Sequence, residues 1–184
     1  ENVDEALLKT LVGKSTREIG SILALKSGVL SAKGELIQRK AHYVLEHLED
    51  IPLIPGIYSF LEKLNESGIP YGIASNAPRA FIQAALDHHD LPYSFYLGLE
   101  DYTNPKPHPE PYLKGALALN WKSPNHAEIA VFEDSAHGIH AAVAGGMTAI
   151  GVTSQHSGEL LIEAGARYTI KDFHDEEFFE RHFF

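Results

Sequence analysis

The sequence contains no cysteine among its 184 residues. This absence excludes disulfide bonds, thiolate zinc sites and cysteine nucleophiles. Basic residues are also scarce, since 15 Lys and Arg stand against 25 Asp and Glu and give a formal net charge of −10. Such an acidic balance argues against nucleic-acid binding and against an anionic membrane surface, because both need basic patches. A small phosphorylated ligand stays compatible with it, because that ligand needs only one local positive site.

Long apolar runs and targeting segments are missing as well. The longest apolar stretch, residues 141–152, contains three glycines and falls short of the ~18 residues that a membrane helix needs. No signal peptide is visible, so we expect a cytoplasmic protein without a membrane partner, and we expect it to be a monomer. The chain begins at Glu1 rather than at methionine, so we expect it to be part of a longer polypeptide.

The residues that are present fall into two regions. Residues 1–52 look all-helical, with one helix predicted from a Ser15 or Thr16 cap to about Lys26 and another over 31–48. Residues 53–184 alternate helices with short apolar strands, which are predicted near 70–74, 95–98, 128–132, 147–152 and 167–170. This alternation predicts an α/β fold whose parallel sheet is covered by helices on both faces, next to a smaller helical domain.

Two polar residues follow the strand predicted at 70–74. In open parallel sheets ligands bind at the carboxyl ends of the strands, where Ser75 and Asn76 stand. A serine hydroxyl and backbone N–H groups before a helix form an anion site, and Pro78 suits the first turn of that helix. A plain Ser or Asn helix cap explains the same residues equally well.

An acidic pair, Glu133 and Asp134, follows the strand predicted at 128–132. Two carboxylates at a strand end can hold Mg²⁺, which takes oxygen ligands and keeps several waters. The alternative is again a cap, in which Asp134 or Ser135 merely begins the next helix.

A proline-rich loop with one lysine lies between these two strand ends. Prolines at 105, 107, 109 and 111 stiffen the backbone around Lys106. A rigid loop can present the ammonium group as a fixed cation to a phosphate, whereas the alternative is a Pro-rich turn with an exposed lysine. A hydroxyl, a fixed cation and an acidic metal pair are together the equipment of phosphoryl transfer.

These motifs resemble the haloacid dehalogenase superfamily of phosphotransferases, in the branch that contains β-phosphoglucomutase and small-sugar phosphatases. Residues 73–76 resemble its second motif, whose Ser or Thr binds the phosphoryl group. Residues 106–111 resemble the third, with its phosphate-neutralising lysine, and residues 132–147 the fourth, with its metal-binding acidic pair. The resemblance implies a Rossmann-like three-layer core over 53–184, a helical cap over 1–52 and Mg²⁺ as cofactor. It also implies catalytic roles for Ser75 and Lys106, phosphate binding by Ser75, Asn76 and Lys106, and Glu133 and Asp134 as metal ligands.

The helical region resembles the cap that closes over the site in this family and selects the substrate. The resemblance lies in residues 12–17 and 37–43. It makes Lys14, Arg17 and Lys40 candidate contacts to a substrate. Solvated charges on helix surfaces explain each of the three as well.

The family's first motif, Asp-x-Asp-Gly-Thr, is absent from the sequence. In the family this motif supplies the nucleophilic aspartate and lies on a central strand of the sheet, just before the cap. We therefore expect either a gap in the middle of the sheet or a strand from another segment, such as a separate chain. We also expect a polypeptide that starts at Glu1 to fold poorly alone and to have no phosphatase activity.

The leading functional hypothesis is a Mg²⁺-dependent phosphatase for a small phosphorylated metabolite, a sugar phosphate above all, that works through an aspartyl-phosphate. A β-phosphoglucomutase-like mutase is the enzymatic alternative, although Pro78-Arg79 stands where the mutase carries Lys-Asn. A non-catalytic binding or regulatory module that lacks the nucleophile is the alternative outside enzymes. Within the site, we expect Lys106 to matter for the chemistry more than for the fold.

Overall fold

The structure is a computed structural model that describes residues 16–27, 46 and 48–184. Its helices, apart from three short 3-10 turns, are α1 (Thr16–Ser27), α2 (Ile57–Glu66), α3 (Arg79–His88), α4 (Glu110–Ala118), α5 (Ala136–Ala144), α6 (Gly158–Glu163) and α7 (Glu176–His182). Its strands are β1 (Ile73–Ala74), β2 (Tyr96–Leu97), β3 (Ala130–Glu133), β4 (Thr148–Val152) and β5 (Tyr168–Ile170). None of the described helices has the length and apolar character needed to cross a membrane.

The strands form two parallel sheets, as the alternation of helices and strands predicts. In the larger sheet β4 lies between β3 and β5, with Glu133 paired to Gly151 at the carboxyl end of β3. In the smaller sheet β1 pairs with β2, with Ala74 opposite Leu97. All five strands are therefore parallel to their sheet neighbours.

The larger sheet is covered on both faces because side chains alternate along its strands. On β4, Ala149 packs into a cluster with Ile139 of α5 and Leu161 of α6. Its neighbour Ile150 packs into a second cluster, with Phe60 of α2 and phenylalanines near the C-terminus. The alternation thus produces a three-layer α/β/α core, which confirms the predicted fold class.

The two sheets are separated in the middle. Among the described residues no strand pairs with both β1 and β3, and a cavity of about 1210 Å³ is lined by residues of both strands. Apolar side chains such as Phe60, Leu64 and Val131 form much of its wall. The expectation of a gap in the middle of the sheet is confirmed, whereas the segment that would fill it stays a prediction.

Helix α7 is an element that the sequence pattern did not predict. The segment 175–184 mixes charged residues with four phenylalanines, so its periodicity is obscured. The helix begins with an Asp175 cap, whose side chain accepts a hydrogen bond from the Phe178 N–H. It then buries Phe179 against Phe60, with ring centroids 4.4 Å apart. Tertiary packing of aromatic rings therefore stabilises a helix of only seven residues.

Candidate active site

The polar edge of the cavity carries all five core residues that the sequence motifs single out. Its lining includes Ser75, Asn76, Lys106, Glu133 and Asp134. Parallel strands end at a common edge, so the loops after β1 and β3 meet there even though about 60 residues separate them in sequence.

Lys106 bridges the two sheets at this edge. Its ammonium group donates a hydrogen bond of 2.8 Å to the Ala74 carbonyl at the end of β1, and it forms an ion pair with Glu133 at the end of β3. The same Nζ lies 4.6 Å from the ring centroid of Tyr112. Only 8% of the residue is exposed. The alternative of a Pro-rich turn with an exposed lysine is therefore wrong, and Lys106 is a fixed, buried cation.

Two side chains hold the loop that carries Lys106. The Asn76 side-chain amide forms two hydrogen bonds with the backbone of Lys106. Its Nδ2 donates to the Lys106 carbonyl at 3.1 Å, and its Oδ1 accepts from the Lys106 N–H at 3.0 Å. Further along, the Glu110 carboxylate accepts from the N–H groups of Thr103 and Asn104. Both ends of the Asn76 amide are thus engaged, so this side chain positions the lysine, while its contact with phosphate stays a prediction.

Glu133 is surrounded by donors from the protein itself. One carboxylate oxygen, Oε1, accepts from Lys106 and from the buried Tyr112 hydroxyl, and Oε2 accepts from Ser135 Oγ at 3.2 Å. Burial and the nearby Glu133 charge raise the pKa of Tyr112 well above its ordinary value, so its hydroxyl stays protonated and donates. The carboxylate rests against Gly138 of α5, where a Cβ atom would overlap it. These contacts make Glu133 the counter-ion of Lys106, and its role as a metal ligand stays a prediction.

Asp134 is the more available carboxylate of the pair. It is not the cap of α5, because Ser135 accepts the hydrogen bond from the Gly138 N–H at 3.1 Å. Its Oδ2 accepts a long hydrogen bond of 3.4 Å from Ser154 Oγ. Burial, and after it the neighbouring Glu133 charge, raises the pKa of the Asp134 carboxyl. A nearby cation would relieve both effects.

The Asp134 carboxylate is a ligand of the kind that Mg²⁺ takes. Within the described ranges, no three His, Cys, Asp or Glu residues are grouped as a metal site. Mg²⁺ is often held by one or two carboxylates, with waters and substrate phosphate completing its shell. Asp134 fits the role of such a single carboxylate.

Two hydrogen bonds hold Ser75 and leave its hydroxyl hydrogen free to donate to a ligand. Its Oγ accepts the Ala77 N–H at 3.1 Å, which leaves the hydroxyl hydrogen able to donate to an anion. Its carbonyl accepts from the buried Tyr102 hydroxyl. The cap position of α3 is Pro78, without a side-chain cap. Neither Ser75 nor Asn76 therefore caps α3, in contrast to the alternative reading of these residues.

Two of the three predicted cap residues lie outside the residues that the structure describes. Lys14 and Lys40 lie outside the described residues, and Arg17 lies on α1 with only its backbone described. Their contacts to a substrate stay predictions.

Several residues at the site were missed by sequence reasoning. Tyr112 and Gly138 contact Glu133 of the Lys106–Glu133 pair. Tyr102 donates to the Ser75 carbonyl, and His156 reaches the Asp134 carbonyl. A tyrosine on an apolar helix face normally belongs to the core, so only its contact with Glu133 identifies Tyr112 as a site residue. Gly138 was the one residue with a signal in the sequence, because a glycine in the first turn of a helix after an acidic pair indicates a close approach of the two.

Comparison with known proteins identifies the family of this chain. Residues 1–152 match the family model described as haloacid dehalogenase-like hydrolase. The chain belongs to this family. The matched residues include both loops that carry the Lys106–Glu133 pair.

Curated relatives of this haloacid dehalogenase-like chain are phosphatases. Validoxylamine A 7'-phosphate phosphatase of Streptomyces hygroscopicus subsp. limoneus is 29% identical over 88% of this chain and 75% of that protein. Glycerol-1-phosphate phosphohydrolase 2 of Saccharomyces cerevisiae is 30% identical over 65% of this chain and 50% of that protein. Phosphoglycolate phosphatase of Salmonella choleraesuis is 34% identical over 55% of this chain and 40% of that protein. The alignments with the last two span half or less of those proteins.

Solved structures of similar fold include enzymes of this family. A β-phosphoglucomutase from Clostridium difficile superposes with a TM-score of 0.81 and 25% identity, over 98% of this chain and 82% of that chain. A hydrolase from Pseudomonas syringae superposes with a TM-score of 0.84 and 20% identity, over 99% of this chain and 84% of that chain. The second likeness shows the fold alone.

Proposed function

We propose that this protein is the core and cap of a phosphatase that hydrolyses a phosphate monoester of a small metabolite, a sugar phosphate above all. The observation that carries the proposal is the buried ammonium of Lys106, fixed between the ends of β1 and β3 at the polar edge of the cavity. Phosphoryl transfer depends on positioning and charge neutralisation, which a rigid buried cation supplies. The phosphatase relatives support the same reaction class.

In this proposal each residue has a distinct task. Lys106 neutralises the negative charge that develops on the phosphoryl oxygens, and Ser75 donates its hydroxyl hydrogen to one of them. Asn76 and Glu133 hold Lys106 in place. Asp134 would hold Mg²⁺, which supplies further charge neutralisation when it is bound.

The nucleophile belongs outside the described residues. By resemblance to the family, an aspartate attacks phosphorus and the alcohol leaves; water then hydrolyses the aspartyl-phosphate and releases inorganic phosphate. The cap over 1–52, with Lys14, Arg17 and Lys40, would close over the site and exclude water from the first step.

A phosphomutase is the second candidate, since β-phosphoglucomutase from Clostridium difficile is among the similar structures. The side chain that distinguishes the candidates in sequence, Arg79, is engaged elsewhere. Its guanidinium pairs with Asp101 at 2.6 Å and lies over the Tyr96 ring at 4.4 Å. Because this guanidinium at the start of α3 is held by Asp101 and Tyr96, it is not free to contact a bound intermediate, which favours hydrolysis.

The test is a panel of phosphate monoesters, with and without Mg²⁺. It should include glycerol 1-phosphate, phosphoglycolate and the hexose phosphates, and it should measure inorganic phosphate and isomeric sugar phosphates in parallel. Phosphate release that needs Mg²⁺ and is lost in Asp134→Asn supports the proposal. Isomer formation without phosphate release would establish the mutase, and no turnover of any ester by the full-length protein would support a non-catalytic module.

A further inference from the structure

The loop after β4, residues 153–157, reaches across the sheet edge to the acidic pair. The ring Nδ1 of His156 lies 2.8 Å from the main-chain carbonyl oxygen of Asp134. Ser154 on the same loop places its Oγ 3.4 Å from Asp134 Oδ2. Because β4 is the hydrogen-bonded neighbour of β3, the loop that follows it ends beside the loop of the acidic pair.

This loop is anchored at both ends. At its start the Thr153 N–H donates to the Ile170 carbonyl at 2.9 Å, which ties it to β5. At its end the Ser157 side chain caps α6 by accepting from the Leu160 N–H at 3.4 Å. His156 is therefore presented from a fixed support rather than from a swinging loop.

The hydrogen bond also fixes the proton on the ring. A carbonyl oxygen can only accept, so Nδ1 must carry the hydrogen. The bond holds the peptide that joins Asp134 to Ser135. On the other side of Asp134, Glu133 is paired to Gly151. With both flanking peptides held, the backbone sets the direction of the Cα–Cβ bond of Asp134, and Ser154 Oγ contacts the carboxylate that this bond carries.

We propose that His156 is a positioning residue for Asp134: its Nδ1–H holds the Asp134 carbonyl, and this aims the carboxylate at the cation site on the cavity edge. The role rests on the proposed function, because it concerns the same metal position. Partners that orient a metal ligand typically change metal affinity about 10- to 100-fold when they are removed.

The contact itself is tested without any metal. In its neutral form, the His156 ring of the ¹⁵N-labelled protein should carry its hydrogen on Nδ1. Proton attachment at Nε2 instead would mean that the hydrogen bond to Asp134 is absent and would overturn the proposal.

The consequence is tested by binding of Mn²⁺, followed by electron paramagnetic resonance, and by competition with Mg²⁺. His156→Ala should weaken Mn²⁺ binding about 10-fold. His156→Asn should keep affinity near that of the wild type, because its amide N–H stands at the same distance from the backbone as Nδ1. His140→Ala, on the exposed side of α5, is the matched control and should bind as the wild type does.

The outcomes separate this role from the proposed function. Wild-type affinity in His156→Ala would overturn the positioning role alone. Equal weakening in the Ala and Asn variants would show that the ring is needed for packing rather than for its N–H, which also overturns it. No Mn²⁺ binding by the wild type would overturn the metal site and this role together, even if the Nδ1 tautomer is present.

Discussion

At the scale of single residues, the ion pair of Lys106 and Glu133 dominates the site. The sequence predicts a lysine that matters for chemistry more than for the fold, and its burial in an ion pair leads us to expect an effect on stability as well. Removing one partner of a buried pair leaves an uncompensated charge, which costs about 3–5 kcal/mol. We expect Lys106→Met to lower phosphatase turnover by at least about 100-fold and also to lower the free energy of unfolding measured in urea.

A second variant separates the two effects of that substitution. In Lys106→Met combined with Glu133→Gln no charge is left unpaired, so the free energy of unfolding should recover in part while turnover stays low. If the double variant is as unstable as the single one, the orphaned carboxylate is not the cause of the instability. If Lys106→Met leaves turnover near normal, the lysine is structural only.

At the scale of elements, the close approach of α5 to β3 depends on one glycine. A Cβ atom at Gly138 would overlap the Glu133 carboxylate, whereas the nearest side-chain atom to a Cβ at Gly115 of α4 is 3.9 Å away. We expect Gly138→Ala to cost about 1–3 kcal/mol of unfolding free energy through overpacking and to lower turnover by displacing Glu133. Gly115→Ala, the matched control in a helix, should be neutral or stabilise by up to about 1 kcal/mol. Equal effects of the two substitutions would contradict the packing described here.

The loop before α4 should make stability depend on pH through Glu110. The Thr103 N–H, then Lys114 and the Asn104 N–H, lower the pKa of its carboxyl from 4.5 to about 2. A lowered pKa means that the carboxylate contributes stability fully above about pH 4.5 and loses it as the pH falls toward 2. The stability difference between wild type and Glu110→Gln should therefore shrink over that window.

This prediction is checked by urea unfolding between pH 7 and pH 3. Glu177→Gln on α7, where the wild-type carboxylate pairs with exposed Arg181, controls for the loss of one surface charge. A difference between wild type and Glu110→Gln that does not change with pH would show that the carboxylate's charge does not hold the loop.

At the scale of the whole molecule, the gap between β1 and β3 is the main feature. Neighbouring strands stand ~4.8 Å apart, so one extra strand pairs with both edges. Each buried N–H or C=O left unpaired costs roughly 1–3 kcal/mol, so we expect a strand from outside the described residues to fill the gap. Residues 1–184 alone should fold poorly and release no phosphate from any ester.

Adding the family's first-motif segment before Glu1 separates folding from chemistry. The segment with its nucleophilic aspartate should restore cooperative unfolding, protection of the β1 and β3 amides from hydrogen exchange, and phosphatase activity. The same segment with that aspartate changed to asparagine should restore the first two without the third. Cooperative unfolding and full activity of residues 1–184 alone would contradict the prediction.

The sequence by itself determined the α/β class, the order of the elements as far as β5 and the loops to which we assign the chemistry. Local patterns suffice for these, since a short run of apolar residues gives β4. The positions of Ser75, Lys106 and Asp134 follow from the strand that ends before each or from the prolines around it. The gap was also predictable, because a motif that occupies a central strand is absent from the sequence.

Only the tertiary structure decided what each residue contacts. The pairing of Lys106 with Glu133, the use of the Asn76 amide on the lysine's backbone and the reach of His156 to Asp134 join segments at least 22 residues apart. Such contacts arise from the packing of parallel strand ends at one edge, which no local pattern contains. Helix α7 was missed for the same reason, since its stability comes from Phe179 packed on a ring more than 100 positions earlier in the chain.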